Sequence, residues 1–101
     1  MTDNNPHADG YRAVHLLITG RVQGVCYRAW TAEKAHALGL SGWVRNRRGG
    51  AVEAVFAGPE EQVQAMIILC RRGPPSALVE AIEIVGEGCS ADPGFEVRPD
   101  V

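Results

Sequence analysis

"GRVQGVCYRAW", residues 20–30, decides how the rest of the chain is read. Its first half is a loop with glycines at 20 and 24, and its second half opens an alanine-rich run free of Gly and Pro. Upstream, "RAVHLLITG" (12–20) alternates. Val14, Leu16 and Ile18 fall on one face and His15, Leu17 and Thr19 on the other, and the apolar content of both faces predicts a central strand ending at Gly20. Downstream, "YRAWTAEKAHAL" puts Ala32, Ala35 and Leu38 near helical spacing, which predicts a helix over 27–38 stopped by Gly39. The quoted stretch is therefore a strand-to-helix turn.

The outward reading continues in the same way. "LSGWVRN" (40–46) and "AVEAVFA" (51–57) flank "RRGG", whose paired glycines supply the positive φ of a tight hairpin, so these are antiparallel neighbours. In "GPEEQVQAMIILCRRG" (58–73) Pro59 takes the first helical position, Glu60 and Glu61 the first turn, Arg71 and Arg72 the last, and Gly73 follows. Val63, Met66, Ile67 and Cys70 form its buried stripe, with Cys70 a core hydrophobe. "ALVEAIEIV" (77–85) and a short "FEVR" (95–98) complete the strands, joined by a loop that holds Cys89. The order is that of an α+β, ferredoxin-like split βαβ sandwich (βαββαβ): an antiparallel sheet with two helices on one face.

Composition sets limits on function. A chain of 101 residues, 46% apolar and 22% charged, matches one soluble globular domain, read as residues 11–101 after a disordered polar tail at 1–10. No apolar run approaches the ~20 residues of a membrane helix, and "MTDNNPHADG" lacks a secretory apolar core, so the expectation is a cytoplasmic protein with no membrane partner. Three cysteines at wide spacing imply reduced thiols, and His7, His15 and His36 lack metal-ligand spacing; no metal is expected. A net charge of −2 lacks the basic footprint of a nucleic-acid binder, and the central strand lacks the interleaved aromatics of an RRM. Nine of the ten basic residues are arginine, and "RNRR" (45–48) concentrates them.

Two places can carry chemistry. A loop entering a helix N-terminus presents backbone N–H groups without intrahelical partners, and Arg28 in the first turn adds a planar multi-donor cation. The stretch can thus cradle a phosphoryl group. It is neither a Walker A loop, since Val25 stands where lysine is needed, nor a G-x-G-x-x-G loop, and by pattern alone a glycine turn without ligand is the commoner case. In "GWVRN", Gly42, Val44 and Asn46 share a face, placing Asn46 at the strand end, where asparagine either supports a turn or holds a water through its donor and acceptor.

"GRVQGVCYR" with Thr31, "LGLSGWVRN" at 38–46, Val52 and Glu53, and "GPPSALV" at 73–79 together resemble the acylphosphatase family. Its signatures G-x-V-Q-G-V-x-[FY]-R and G-[FYW]-[AV]-x-N are both present, and the similarity spans about residues 12–98. The resemblance implies the fold above and hydrolysis of small acyl phosphates by a monomer, without metal or cofactor. Arg21, Val22, Gln23, Gly24 and Val25 would bind the phosphoryl group through backbone amides together with Arg28, and Asn46 would orient the attacking water. Arg21, Arg45, Arg47 and Arg48 are expected near the mouth, where they would attract a dianion. The chain departs from the family pattern at Cys26, commonly phenylalanine, at Gly49, commonly aspartate, in the basic turn at Arg47 and Arg48, and in the extra tail "RPDV". Cys26 is read as a buried packing thiol, because "CYR" has too few intervening residues for a C-x-x-x-x-x-R phosphatase loop. Two other readings stand beside this one: a non-catalytic anion-binding module on the same fold, and an acylphosphatase-like domain of larger carbamoyl-phosphate-processing chains.

Overall fold

Val14, Leu16 and Ile18 are wholly buried while His15, Leu17 and Thr19 stay partly exposed, so the first strand divides its faces as its alternation requires. In the computed structural model, which describes residues 10–101, the elements follow as β1 (Tyr11–Arg21), α1 (Tyr27–Ala37), β2 (Ser41–Asn46), β3 (Val52–Pro59), α2 (Glu60–Arg72), β4 (Leu78–Glu87) and β5 (Phe95–Val97). The tail expected over 1–10 lies outside the described residues apart from Gly10, whose carbonyl accepts from the Glu60 N–H. Gly20 does not end β1. It follows a bulge against β4, and the strand continues to Arg21. Pro59 likewise stands one place outside its helix: β3 runs directly into α2, so its ψ of 141° remains extended and Glu60 opens the helix.

The sheet order is β4-β1-β3-β2-β5. The four strands of the split βαβ core pair antiparallel, and short β5 is added parallel to β2 at the outer edge, with Gly42 opposite Phe95 and Val44 opposite Val97. Gly42 makes that edge possible. A Cβ there would lie 1.8 Å from the Val55 carbonyl oxygen, and without one Phe56 of β3 and Phe95 of β5 stack across it with ring centroids 5.5 Å apart.

Both helices cover one face. α2 buries Val63, Met66, Ile67 and Cys70, as its spacing predicts, and the Cys70 thiol is pushed up to about 12 by burial. α1 buries Tyr27, Thr31 and Ala35, while Ala32 and Leu38 pack at its margin, so its stripe is rotated from the one expected. The Tyr27 hydroxyl donates to the Cys70 carbonyl at 2.7 Å and ties the two helices together. Burial raises its pKa strongly. No helix among the described residues is long and apolar enough to cross a membrane.

Among the described residues no third layer protects the opposite face, yet Glu53, Val55 and Ala57 are buried on it. Long neighbours lean over them instead. The guanidinium groups of Arg45 and Arg98 lie over the Trp43 ring, 4.8 and 4.7 Å from its centroid, and the His15 and Trp43 rings meet in a T-shaped contact with centroids 5.8 Å apart. Glu53 collects three donors: His15 Nε2 at 2.5 Å, Arg45 Nε at 2.8 Å and Arg47 Nη1 at 3.2 Å. An ionised carboxylate only accepts, so His15 carries its proton on Nε2. Burial works to raise the Glu53 pKa, but the bonds from Arg45, His15 and Arg47 outweigh it and hold the carboxyl below its usual range.

A lowered folded pKa means that the stabilisation is present above the unfolded value, about 4.3 for Glu, and is lost as pH falls through the folded one. Glu53→Gln is expected to lower stability at neutral pH by about 1–3 kcal/mol, since it weakens bonds to charged donors. The gap between variant and wild type, measured by urea unfolding, should close as pH falls below about 4. A gap that stays constant with pH would show that the Glu53 charge contributes nothing.

Candidate active site

Two buried side chains root the loop between β1 and α1: Val22 at one end and Tyr27 at the other, each 1% exposed. Between them the backbone turns sharply. Gly24 has φ 75°, and Cys26, the N-cap of α1, has φ 63° and ψ 25°. Cys26 is the one non-glycine residue with positive φ among the described residues, a conformation that costs about 1–2 kcal/mol. Its side chain is exposed, which corrects the expectation of a buried packing thiol: the left-handed turn carries its Cβ away from the core. The same turn leaves the N–H groups of Gln23, Gly24, Val25, Cys26, Tyr27, Arg28 and Ala29 without a backbone acceptor among the described residues; the Trp30 N–H resumes the pattern, bonding to the Cys26 carbonyl at 3.0 Å.

Register brings the second part of the site to this loop. Ile18 of β1 pairs with Val52 of β3, and Val52 pairs with Asn46 of β2, so Asn46 ends its strand on the helix-covered face, close to where β1 gives way to the loop. Its side chain is 9% exposed, and Oδ1 is buried with no partner among the described residues. A buried acceptor left unpaired costs about 1–3 kcal/mol. A water or a ligand group can satisfy it. Asn46 and Arg28 line one cavity of about 460 Å³, with Val22, Gly24, Cys26 and Val97 completing its wall.

Arg28 donates from Nη1 to Asp100 Oδ1 at 2.9 Å, which leaves Nε and Nη2 without a protein acceptor among the described residues. Asp100 arrives on a strap formed by the C-terminal residues. Arg98 N–H bonds to the Val44 carbonyl, Val101 N–H to that of Asn46, and Arg48 N–H to that of Val101, at 2.9, 3.1 and 2.6 Å. Gln23 links loop and hairpin, its Nε2 donating to the carbonyls of Arg47 and Ala51, both at 2.8 Å.

The basic residues divide. Arg45 points to the opposite face, against Trp43 and Glu53, because its place in β2 alternates with Asn46, so it does not stand at the cavity mouth as expected. Arg47 is drawn toward Glu53 but, with Arg48 and Asp100, also borders a second hollow of about 310 Å³. Arg21 is exposed at the end of β1, opposite Leu78. Sequence reasoning did not find Asp100, Val97 or the work of the Gln23 side chain. The strap residues lie 70 positions or so from the helix they meet, and no local pattern marks them.

The family model described as Acylphosphatase matches residues 14–97. The chain is 54% identical over 86 residues to an acylphosphatase of Rhodospirillum rubrum, covering 85% of this chain and 94% of that protein. It is 56% identical over 89 residues to an acylphosphatase of Azorhizobium caulinodans, covering 87% and 96%. Among solved structures, an acylphosphatase from Coxiella burnetii superposes with a TM-score of 0.82 at 33% identity, over 90% of this chain and 96% of that one. The loop with its unpaired amides, Arg28 and Asn46 thus sits within the matched stretch of a chain that belongs to the acylphosphatase family.

Proposed function

We propose that this acylphosphatase hydrolyses small acyl phosphates to a carboxylate and inorganic phosphate by direct attack of water, acting as a cytoplasmic monomer without metal, cofactor or nucleic-acid partner. The observation that carries the reading is the meeting, in one cavity at a helix N-terminus, of Arg28 with the buried, unpartnered carboxamide oxygen of Asn46. The phosphoryl oxygens are taken by backbone N–H groups of Arg21, Val22, Gln23, Gly24 and Val25, with Arg28 closing the cradle. Of these, Val22, Gln23, Gly24 and Val25 have no competing backbone acceptor among the described residues. Among the described residues no three His, Cys, Asp or Glu side chains gather as metal ligands.

Asn46 Oδ1 accepts a hydrogen bond from the water while Nδ2 can donate to it, which fixes the lone pair that attacks phosphorus. The P–O bond to the acyl group breaks as the water oxygen bonds to phosphorus. The carboxylate leaves with the electron pair, and the water's proton passes to a phosphate oxygen or to solvent. Charge spreads over the phosphoryl oxygens in a loose transition state, where fixed N–H donors and a guanidinium are already aimed. A carboxylate is a good leaving group, so the absence of a general acid costs little.

Benzoyl phosphate hydrolysis in the presence of a chelator tests the reading; an inactive wild-type protein would sink it. Arg28→Ala is expected to nearly abolish turnover and to weaken phosphate binding, because the cation serves ground and transition states alike. A variant that retained both would remove Arg28 from the cradle.

Asn46→Ala should instead cut kcat by on the order of 10²-fold while phosphate affinity stays within about threefold, the pattern of a group felt mainly in the transition state. Equal losses of rate and of phosphate affinity would make Asn46 a ligand of the phosphoryl group.

For Cys26 the expectation is a split between strain and chemistry. Cys26→Ala should keep most activity and no phosphoenzyme should accumulate, since one residue separates Cys26 from Arg28. Cys26→Gly should raise stability by on the order of 0.5–1 kcal/mol through relief of the left-handed backbone. A phosphocysteine trapped in quenched enzyme would overturn water attack.

A further inference from the structure

The two parts of the site lie on different elements, the cradle between β1 and α1 and Asn46 at the end of β2, and they must be held at one separation if a water fixed by one is to strike phosphorus held by the other. The hairpin that follows Asn46 is poorly suited to hold itself. Its tip contains Gly49 and Gly50, where a Cβ would meet nothing within 4 Å, so the tip is unpacked; outside contacts come from the strap, through the Arg48 N–H on the Val101 carbonyl, and from Arg47 on Glu53. Its own bonds, Arg47 N–H to the Ala51 carbonyl at 2.8 Å and Gly50 N–H to that of Arg47 at 3.2 Å, close the turn without tying it to the cradle.

Gln23 supplies the tie. Its amide nitrogen bears two hydrogens, and it meets two acceptors, the carbonyls of Arg47 and Ala51, each at 2.8 Å. Those carbonyls stand at the two ends of the turn, and Arg47 directly follows Asn46. We propose that the Gln23 side chain is a positioning residue for hydrolysis, setting the distance from the phosphoryl cradle to the Asn46-bound water by clamping the Arg47–Ala51 turn. This rests on the catalytic reading above. It is separate from the part played by the Gln23 backbone N–H, which any residue but proline at 23 retains. The amide is required for its donors: Glu has the same shape but would set a carboxylate against two carbonyl oxygens.

Misplacing a reacting group by about 1 Å can cost on the order of 10²-fold in rate. Gln23→Ala and Gln23→Glu are therefore expected to lower kcat for benzoyl phosphate by about 10- to 100-fold, while the inhibition constant of inorganic phosphate, read by kinetics and by NMR titration, changes by less than about threefold. A clamp acting through Asn46 has a further signature. In the Asn46→Ala background, Gln23→Ala should lower kcat by less than about threefold, because the water it serves to place is already lost. Melting curves accompany each variant, and Gln23→Met, with similar reach and no donors, takes the place of any variant that does not fold.

The outcomes separate cleanly. An inactive wild-type protein defeats the hydrolytic reading itself. With an active wild type, the clamp is overturned if Gln23→Ala turns over normally, if rate and phosphate affinity fall together, or if the Gln23 and Asn46 effects multiply independently.

Discussion

Ile18, Val52 and Asn46 stand side by side across three strands, and the site depends on that row. One strand leads into the cradle, the next spans the sheet beneath the helices, and the third ends in the carboxamide. A strand has a side-chain period of two, so a slip of one residue anywhere in these pairings would send Asn46 to the open face and bring Arg45 beneath the helices. The register is secured from the core side. Phe56 stacks on Phe95 over Gly42, where a Cβ would meet the Val55 carbonyl, and the buried run Val52, Ala54 and Phe56 faces Ile18, Leu16 and Val14. Chemistry at the sheet end is in this sense a consequence of packing near its middle.

The same alternation sorts charge. Arg45 lies one place from Asn46 and, on the opposite face, meets Glu53, which also takes Arg47 and His15. Glu53 thereby anchors cations that would otherwise crowd the hairpin, and its burial under their stems makes the open face dry enough for the bonds to matter. The cavity is left with a guanidinium whose only carboxylate partner among the described residues is the partly exposed Asp100, a contact worth about 0–1 kcal/mol at such exposure.

Much of this was written locally in the sequence. Each strand and helix has its own period, the paired glycines of the hairpin show the positive φ they were read for, and the Val63–Cys70 stripe is buried as spaced. Arg28 and Asn46 were legible because two signature stretches carry them. What escaped the reading depends on contacts between distant parts of the chain: Asp100 against Arg28, Gln23 against the far end of the hairpin, and β5 returning parallel to β2. Arg45 was misplaced for another reason. A cluster such as "RNRR" invites treatment as one basic patch, whereas strand geometry sends adjacent residues to opposite faces, and that rule was available from "GWVRN" itself.

Asp100 shows how a weak contact can still shape a site. A dianion bound as proposed would compete with its carboxylate for Arg28, and the loss of a bridge worth about 0–1 kcal/mol would be small beside charge-assisted bonds from a guanidinium and several amides. The strap that delivers Asp100 is held independently, by backbone bonds to Val44, Asn46 and Arg48, so yielding one side-chain contact need not release it. On the reading proposed above, Arg28 is thus held in place by a partner that the substrate can replace. An arginine without such a partner would lose about 2 kcal/mol of rotamer freedom on binding, and part of that loss has already been met by the fold.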